Sequence, residues 1–314
     1  MENLGELSTV ATTGSLSVNC TQAFSGHLVE RGKSERTIQA YCQDVRLFAA
    51  WYERENGQAF APELTTSFDL RSYRSHALDV ERVAAATWNR RRISLRIFCA
   101  WLVESGTLNY DPFRGIEAVR IEDPGIRALD KPERNKFLRQ VELTVNGAVS
   151  DFGKWLALRD QAMIALMIHA GLREGEVTAL DVADVEIRSR SGEANVRRGK
   201  GDKFRQVPLG LEARRAVQMW LDQRPQAEGP LFVGKSGGRL STRQVQRVVA
   251  EIGRMAGQEV TPHDLRHTFA SQLINEEKAP LGVAQQILGH KRQDTTARYA
   301  KPSWGYLQEA VERI

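Results

Sequence analysis

Apolar positions recur at helical spacing through the first hundred residues. From Ser34, a candidate N-cap, they follow the three- and four-residue intervals of an amphipathic helix that ends near Asn56 and Gly57. A second helix is predicted over 87–104. Residues 1–18 are rich in Ser and Thr and lack this periodicity, so we interpret them as a flexible leader.

The second half combines helices with one small sheet. Asp130 is a candidate N-cap with Pro132 in the first turn, and an apolar helix over 155–170 ends at Gly171. Three short β segments separated by polar or Gly-rich turns are predicted over 185–187, 194–198 and 204–207. Further helices are predicted over 211–223, 241–255, 264–275, 283–288 and 302–314. The fold class is therefore mainly α with a small antiparallel β-sheet.

A segment with turn signals separates these halves. Residues 111–129 contain two Asp-Pro pairs and no sustained apolar stripe, which indicates a linker. We therefore predict a helical domain over 19–110 and a second domain over 130–314. A length of 314 residues is typical of about two domains.

Composition excludes several classes of protein. The chain is 41% hydrophobic, so a largely disordered chain is excluded, and no apolar run approaches the roughly 18 residues that span a bilayer. The N-terminus lacks the basic start of a signal peptide. Cys20, Cys42 and Cys99 are far apart, which argues against a disulfide scaffold or a zinc site and favours a cytoplasmic location.

Basic residues concentrate in two places. One cluster lies on the predicted helix over 87–104 and just before it, and the other lies on the predicted hairpins. The first cluster is Arg82, Arg90, Arg91, Arg92 and Arg96, and the second is Arg188, Arg190, Arg197, Arg198, Lys200, Lys203 and Arg205. Either cluster alone fits a solvated face, but two in separate domains favour a nucleic-acid partner, DNA or RNA.

Five short motifs carry phosphate or proton chemistry. Their side chains are Arg173 with Glu176, Lys200, His263 with Arg266, His290 and Tyr299. Guanidiniums pair bidentately with phosphate, and without a dense carboxylate cluster to hold magnesium such a set indicates metal-free phosphodiester chemistry. A tyrosine supplies a nucleophile, and a lysine on a turn can protonate the departing oxygen.

These motifs, in this order, resemble the catalytic boxes of the tyrosine recombinases, or phage integrases. They read AGLREGE, GKG, HDLRHTFAS, LGH and TTARY, and the pattern from Thr37 to Trp51 is similar to the helical core-binding domain of that family. The resemblance covers the chain from about Thr21 to its end. One departure is Glu174, where the family more often has an apolar or small residue.

The resemblance implies a role for each residue of the phosphate pocket. Arg173 and Arg266 would clamp the phosphate, and Glu176 would support the pocket. His263 and His290 would contact the phosphate and handle protons. A metal pair of His263 with His267 is disfavoured because Arg266 would repel a cation beside them.

The resemblance also implies the reacting groups. Lys200 would be the general acid for the 5′-oxygen, although Lys203 lies on the same turn. Tyr299 would form a 3′-phosphotyrosyl bond and is preferred over Tyr306 in the predicted last helix. That helix, 302–314, resembles the segment that docks onto a neighbouring subunit in the family.

The family implies double-stranded DNA as partner, no cofactor or metal, and a homotetramer on two synapsed sites that exchanges strands through a four-way junction. Accessory DNA-bending or directionality proteins are also compatible with it. The DNA contacts predicted from charge are Arg90, Arg91, Arg92, Arg96, Arg197, Arg198, Lys203 and Arg205. The task is integration, excision, transposition or dimer resolution. Two alternatives remain open: a catalytically silent architectural factor of the same fold, and a tyrosine-based nicking enzyme.

Overall fold

The computed structural model describes residues 13–121, 127–197, 204–224 and 226–289, with side chains from residue 20 onward. The chain divides into two compact units, Met1–Asp123 and Pro124–Ile314. Within the described ranges, no helix has the length and apolarity that crossing a membrane requires.

Four α-helices form the described part of the N-terminal unit. They are α1 (Thr13–Glu30), α2 (Glu35–Asn56), α3 (Ser67–Ser75) and α4 (Ala85–Glu104), with a 3-10 turn at Pro62–Leu64 and a π-turn at His76–Val80. The predicted helices from Ser34 and over 87–104 are confirmed. Ser34 caps α2 by accepting a hydrogen bond from the backbone N–H of Thr37. Helix α1 begins at Thr13, so it includes residues that the sequence analysis placed in the leader.

The core of this unit is aromatic. Phe24 of α1 contacts Phe98 of α4 edge to face at 5.2 Å, and Phe48 of α2 meets Tyr73 of α3 at 5.3 Å. Such aromatic pairs contribute about 0.5–1.5 kcal/mol beyond the burial of their area, so they stabilise the packing of these helices. Phe113, in the predicted linker, is also buried in this core, so the start of that segment packs with the helical unit.

The C-terminal unit contains seven described α-helices and one sheet. The helices are α5 (Lys131–Asn146), α6 (Asp151–Ile168), α7 (Glu174–Ala179), α8 (Leu211–Leu221), α9 (Thr242–Met255), α10 (Pro262–Ser271) and α11 (Leu281–Leu288). The strands are β1 (Val185–Ile187), β2 (Gly192–Val196) and β3 (Arg205–Pro208), and they pair antiparallel in the order β1-β2-β3. In the register, Ala194 pairs with Val185 on one side and Val207 on the other. The predicted fold class is confirmed.

Helix α6 is the centre of this unit. Its C-terminal half, from Ala162 to Ile168, is buried on every side, because α5, α8 and α10 all pack against it. A helix that is apolar all round belongs in the middle of a core, which explains its unbroken run of apolar residues. The predicted helix over 302–314 lies outside the described residues.

The connection after α6 turns sharply at Gly171. Its φ is 68°, a left-handed conformation that favours glycine, and a β-carbon there would overlap the ring of Phe269. The predicted left-handed helix end is therefore confirmed. The turn brings Leu172 into the core and sets Arg173 at the start of α7.

Candidate active site

Helix α7 begins with a reciprocal contact between Arg173 and Glu176. The carboxylate of Glu176 accepts the backbone N–H of Arg173 at 2.9 Å and its Nη1 at 2.9 Å. An acid three residues after the N-cap satisfies a backbone donor that the helix leaves unpaired. The same acid thus fixes both the backbone and the guanidinium of Arg173, whose side chain stays 38% exposed.

Glu176 also binds a second arginine, Arg205, from the first position of β3. Nη1 and Nη2 of Arg205 donate to Oε1 and Oε2 of Glu176, each at 2.8 Å. Burial alone would raise the pKa of Glu176, but the hydrogen bonds and charges of Arg205 and Arg173 lower it to about 2. Glu176 is therefore ionised throughout the neutral range.

Arg266 of α10 is nearly enclosed, with a side chain 2% exposed. Its guanidinium donates to the carbonyl of Gly171 and, at 2.7 Å, to that of Leu288 at the end of α11. Its Nη1 lies 3.9 Å from Oε2 of Glu176. Carbonyls at helix C-termini carry partial negative charge, so they hold the guanidinium without neutralising it.

His263 lies in the first turn of α10, on the same face of the helix as Arg266. It is exposed, and its ring centroid lies 3.9 Å from that of His267. Desolvation and the charge of Arg266 lower the pKa of His263, so its imidazole is neutral at pH 7 and able to accept a proton. The described residues include no cluster of three His, Cys, Asp or Glu side chains placed to hold a metal ion.

A pocket of about 670 Å³ is walled by the start of α7, by α9 and by the start of α10. Arg173, His263 and Arg266 all line it, and Glu174 stands at its edge with Oε1 accepting from Gln246 of α9 at 2.9 Å. Glu176 is the only carboxylate bonded to the two clamping arginines within the described part of the chain. With the Glu174 carboxylate counted, the three guanidiniums of Arg173, Arg205 and Arg266 still outnumber the two acids, so the arrangement retains positive charge and suits an anion such as a phosphodiester.

The family models match both units. The description "Phage integrase family" matches residues 138–304, and "Phage integrase, N-terminal SAM-like domain" matches residues 22–106. The chain belongs to the phage integrase family. The expected membership is confirmed, and with it the expectation that the chain is a site-specific recombinase and an enzyme.

Tyrosine recombinases of several bacteria are similar to this chain along nearly its whole length. Tyrosine recombinase XerC of Azotobacter vinelandii is 35% identical over 303 residues, which cover 93% of this chain and 94% of the relative. Tyrosine recombinase XerC of Chromohalobacter salexigens is 33% identical over 300 residues, covering 93% and 92%. These matches include both the N-terminal unit, Met1–Asp123, which we call the helical unit, and the C-terminal unit, Pro124–Ile314, which we call the catalytic unit.

Solved integrase structures share the fold. XerH site-specific recombinase bound to a palindromic difH substrate superposes with a TM-score of 0.73 at 22% identity, covering 96% of this chain and 85% of that chain. A lambda integrase dimer bound to a COC′ core site gives a TM-score of 0.67 at 18% identity, covering 90% and 95%. The folds of the two units, in this order along the chain, are thus shared with these solved structures.

The structure brings together four of the predicted site residues, Arg173, Glu176, His263 and Arg266. Five further predicted residues lie outside the described residues. They are Lys200, His290 and Tyr299 of the catalytic set, and Arg198 and Lys203 of the predicted DNA contacts. In the sequence, Lys200 lies between β2 and β3, and His290 directly follows Gly289 at the end of α11.

Arg205 is placed differently from its predicted role as a DNA contact. Its side chain is 10% exposed and bonded to Glu176 and to the carbonyl of Ile287, so it faces the inside of the catalytic unit. Charge density along the hairpin could not distinguish this arginine from its exposed neighbours. The one available signal was its position on the strand, two residues before the buried Val207.

The other predicted DNA contacts mostly have acidic or carbonyl partners. Arg90 pairs with the buried Asp44 at 2.5 Å and Arg91 with Glu81 at 3.0 Å. Arg92 donates to the carbonyl of Ile116 at 2.8 Å. Arg197 is exposed but binds Asp184 at 2.6 Å, and Arg96 is exposed with no ion pair to a described residue. Their contacts with DNA stay predictions.

Proposed function

We propose that this recombinase cleaves DNA by attack of the Tyr299 hydroxyl on a phosphodiester held by Arg173 and Arg266. A bond forms between the phenolic oxygen and phosphorus, and the bond from phosphorus to the 5′-oxygen breaks. The phenolic proton passes to a neutral imidazole, and Lys200 protonates the departing 5′-oxygen. Reversal of these steps on a new 5′-hydroxyl rejoins the strand.

The surplus positive charge of the pocket is the observation that carries this proposal. In the transition state, charge grows on the non-bridging oxygens, and two fixed guanidiniums stabilise it without an added ion. Arg266 is held rigidly by Leu288 and Gly171, so little reorganisation is needed when the phosphate arrives.

The neutral His263 supports the choice of a base. It borders the same pocket as the two arginines, and its lowered pKa leaves a lone pair available at neutral pH. His290 is proposed as a second phosphate contact, because it follows directly on the helix end whose carbonyl binds Arg266.

Double-stranded DNA is the partner that the family supports, and the finer assembly is part of the proposal. We expect four copies on two synapsed sites, with 302–314 docking onto a neighbouring subunit and with accessory proteins setting direction in some settings. The proposed location is the cytoplasm, on chromosomal or plasmid DNA. No metal or cofactor takes part in the proposed steps.

A nicked suicide substrate tests the nucleophile. Its cleaved strand loses a short 5′-hydroxyl fragment, so the covalent adduct accumulates. Tyr299→Phe should form no adduct, whereas Tyr306→Phe, the matched control, should keep it. An adduct that survives Tyr299→Phe would contradict the proposal.

A second assay separates the proposal from its two alternatives. Incubation with two intact sites should give recombinant product and a four-way intermediate. Adduct without recombinant product would indicate a nicking enzyme. Specific binding with neither product would indicate an architectural factor.

A further inference from the structure

One side chain, Arg205, connects three parts of the catalytic unit. It bonds Glu176 through two nitrogens at 2.8 Å, and its Nε donates to the carbonyl of Ile287 in α11 at 3.0 Å. Its side chain is 10% exposed. Arg205 is therefore turned inward, toward Glu176 and the end of α11.

The charge balance around Glu176 gives this contact its importance. Arg173 donates to Glu176 at 2.9 Å, and Arg266 lies 3.9 Å from it. A carboxylate and a phosphate compete for the same N–H groups of a guanidinium. If Arg205 were absent, the full charge of Glu176 would fall on the two arginines that have to bind phosphate.

The position of Arg205 adds a second consequence. It begins β3, five residues after Lys200 in the sequence, and its carbonyl partner Ile287 comes three residues before His290. One mostly buried guanidinium thus holds both the start of β3, the strand that follows the GKG motif in the sequence, and the last turn of α11. Both segments lead directly to residues of the predicted catalytic set.

We propose that Arg205 is a positioning residue for DNA cleavage. It neutralises Glu176 and holds the carboxylate in place, so that Arg173 and Arg266 direct their charge to the scissile phosphate. Arg205 itself does not touch the DNA. This inference rests on the proposed function, because it concerns the rate of the tyrosine-dependent cleavage step.

Charge removal on both sides of the pair tests the neutralising role. Single-turnover cleavage of the nicked substrate is compared for the parent, Arg205→Met and the double variant Arg205→Met/Glu176→Gln. We expect Arg205→Met to slow cleavage about 100-fold, as a misplaced catalytic group does. The double variant should be at least about tenfold faster than Arg205→Met, because the unneutralised carboxylate is gone. A double variant no faster than Arg205→Met would overturn the proposal.

A substrate without the phosphate charge provides a readout that a change in stability does not move. In a methylphosphonate at the cleavage position, a methyl group replaces one non-bridging oxygen and the linkage is neutral. If Arg205 acts by keeping guanidinium charge available, Arg205→Met should slow cleavage of both substrates unequally. The factor by which it slows phosphate cleavage should be at least about ten times the factor by which it slows methylphosphonate cleavage. Equal losses on the two substrates would overturn the proposal.

Arg159→Met is the matched control. Arg159 is also buried, pairs with Asp160 at 2.6 Å and donates to the carbonyl of Val233 at 3.1 Å, yet it makes no contact with Glu176. It should lower stability without changing the ratio of the two substrate rates.

If Arg205→Met fails to fold, Arg205→Lys keeps the charge and is measured instead. We expect its cleavage rate to fall between those of the parent and the Met variant. The ratio of its rates on the phosphate and methylphosphonate substrates should be close to that of the parent. A changed ratio in Arg205→Lys would contradict the proposal. Absence of a parent adduct would overturn the proposed function, whereas a parent adduct with unchanged ratios in the Arg205 variants would overturn this inference alone.

Discussion

Two arginine-rich networks, one in each unit, are built around acidic side chains and differ in their balance of charge. In the helical unit, Asp44 binds Arg90 and Glu81 binds Arg91, so each arginine has its own acid. In the catalytic unit, one acid, Glu176, is shared by three guanidiniums. The first network neutralises itself and holds helices together, whereas the second keeps positive charge directed at a pocket.

The difference shows that a dense run of arginines in a sequence does not by itself identify a phosphate site. The arginines of the helical unit come from a segment with many basic residues and few acids, whereas Arg173 and Arg266 each have an acid within three residues in the sequence. What separates the networks is the number of acids that the folded chain places beside the arginines. Asp44 lies 46 residues from Arg90, a separation at which charge patterning along the sequence gives no signal.

The largest expected effect comes from removing the buried arginine of the pocket. Arg266→Ala should slow adduct formation on the nicked substrate by about a thousandfold or more, because it removes a fixed donor to the transition state. DNA affinity, measured by gel shift, should stay within about tenfold of the parent. Arg254→Ala, at an exposed arginine paired only with Glu251 among the described residues, is the control. Normal cleavage by Arg266→Ala would remove this residue from the site.

Asp44, the buried acid of the network in the helical unit, should affect the stability of the fold and not the rate of DNA cleavage. Asp44 is 1% exposed and also accepts from the hydroxyl of Ser94 at 2.7 Å. Asp44→Asn should lower the free energy of unfolding by about 2 kcal/mol, the usual effect of losing hydrogen bonds to a charged group. Urea unfolding measures this loss. If the cleavage rate of DNA-bound Asp44→Asn also falls, the two networks are not separate in function.

The pocket acid should make stability depend on pH. The pKa of Glu176 lies at about 2 in the folded chain, below its ordinary value of 4.5, so folding favours its ionised form. The resulting stability is present above about pH 4.5 and is lost as pH falls toward 2. The difference in the free energy of unfolding between the parent and Glu176→Gln should therefore shrink as pH falls from about 4.5 to 2. Urea unfolding at a series of pH values measures it, and a constant difference would contradict the assignment.

The smallest effect separates arginines within the helical unit. Arg96 is exposed, whereas Arg91 is mostly buried and paired with Glu81. Arg96→Gln should reduce the slope of log affinity against log salt by about one, as expected for one lost phosphate contact. Arg91→Gln should leave the slope closer to the parent. Identical slopes for the parent and Arg96→Gln would indicate that Arg96 belongs to a solvated face and makes no phosphate contact.

Much of the fold followed from local sequence. The caps at Ser34 and Asp130, the left-handed Gly171 and the turn between β1 and β2 depend on the conformational preferences of a few adjacent residues, so the sequence could predict them. The motif order also identified Arg173 and Arg266 as members of one site. The early start of α1 at Thr13 was missed because its polar N-terminal residues carry no apolar stripe.

The role of Arg205 could not be predicted because it depends on a long-range contact. The pair with Glu176 joins residues 29 apart, and the bond to Ile287 joins residues 82 apart. In the sequence, only the position of Arg205 two residues before the apolar Val207 distinguishes it from Arg197 on the preceding strand end. In the folded chain their burial differs, with side chains 10% and 67% exposed.

The central claim is that fixed guanidiniums, with no added metal ion, activate the phosphodiester toward Tyr299. Single-turnover adduct formation in excess chelator, compared with the same reaction in magnesium, tests it most directly. We predict equal rates in the two conditions and no adduct for Tyr299→Phe in either. Cleavage that disappears with chelator and returns with magnesium would contradict the account.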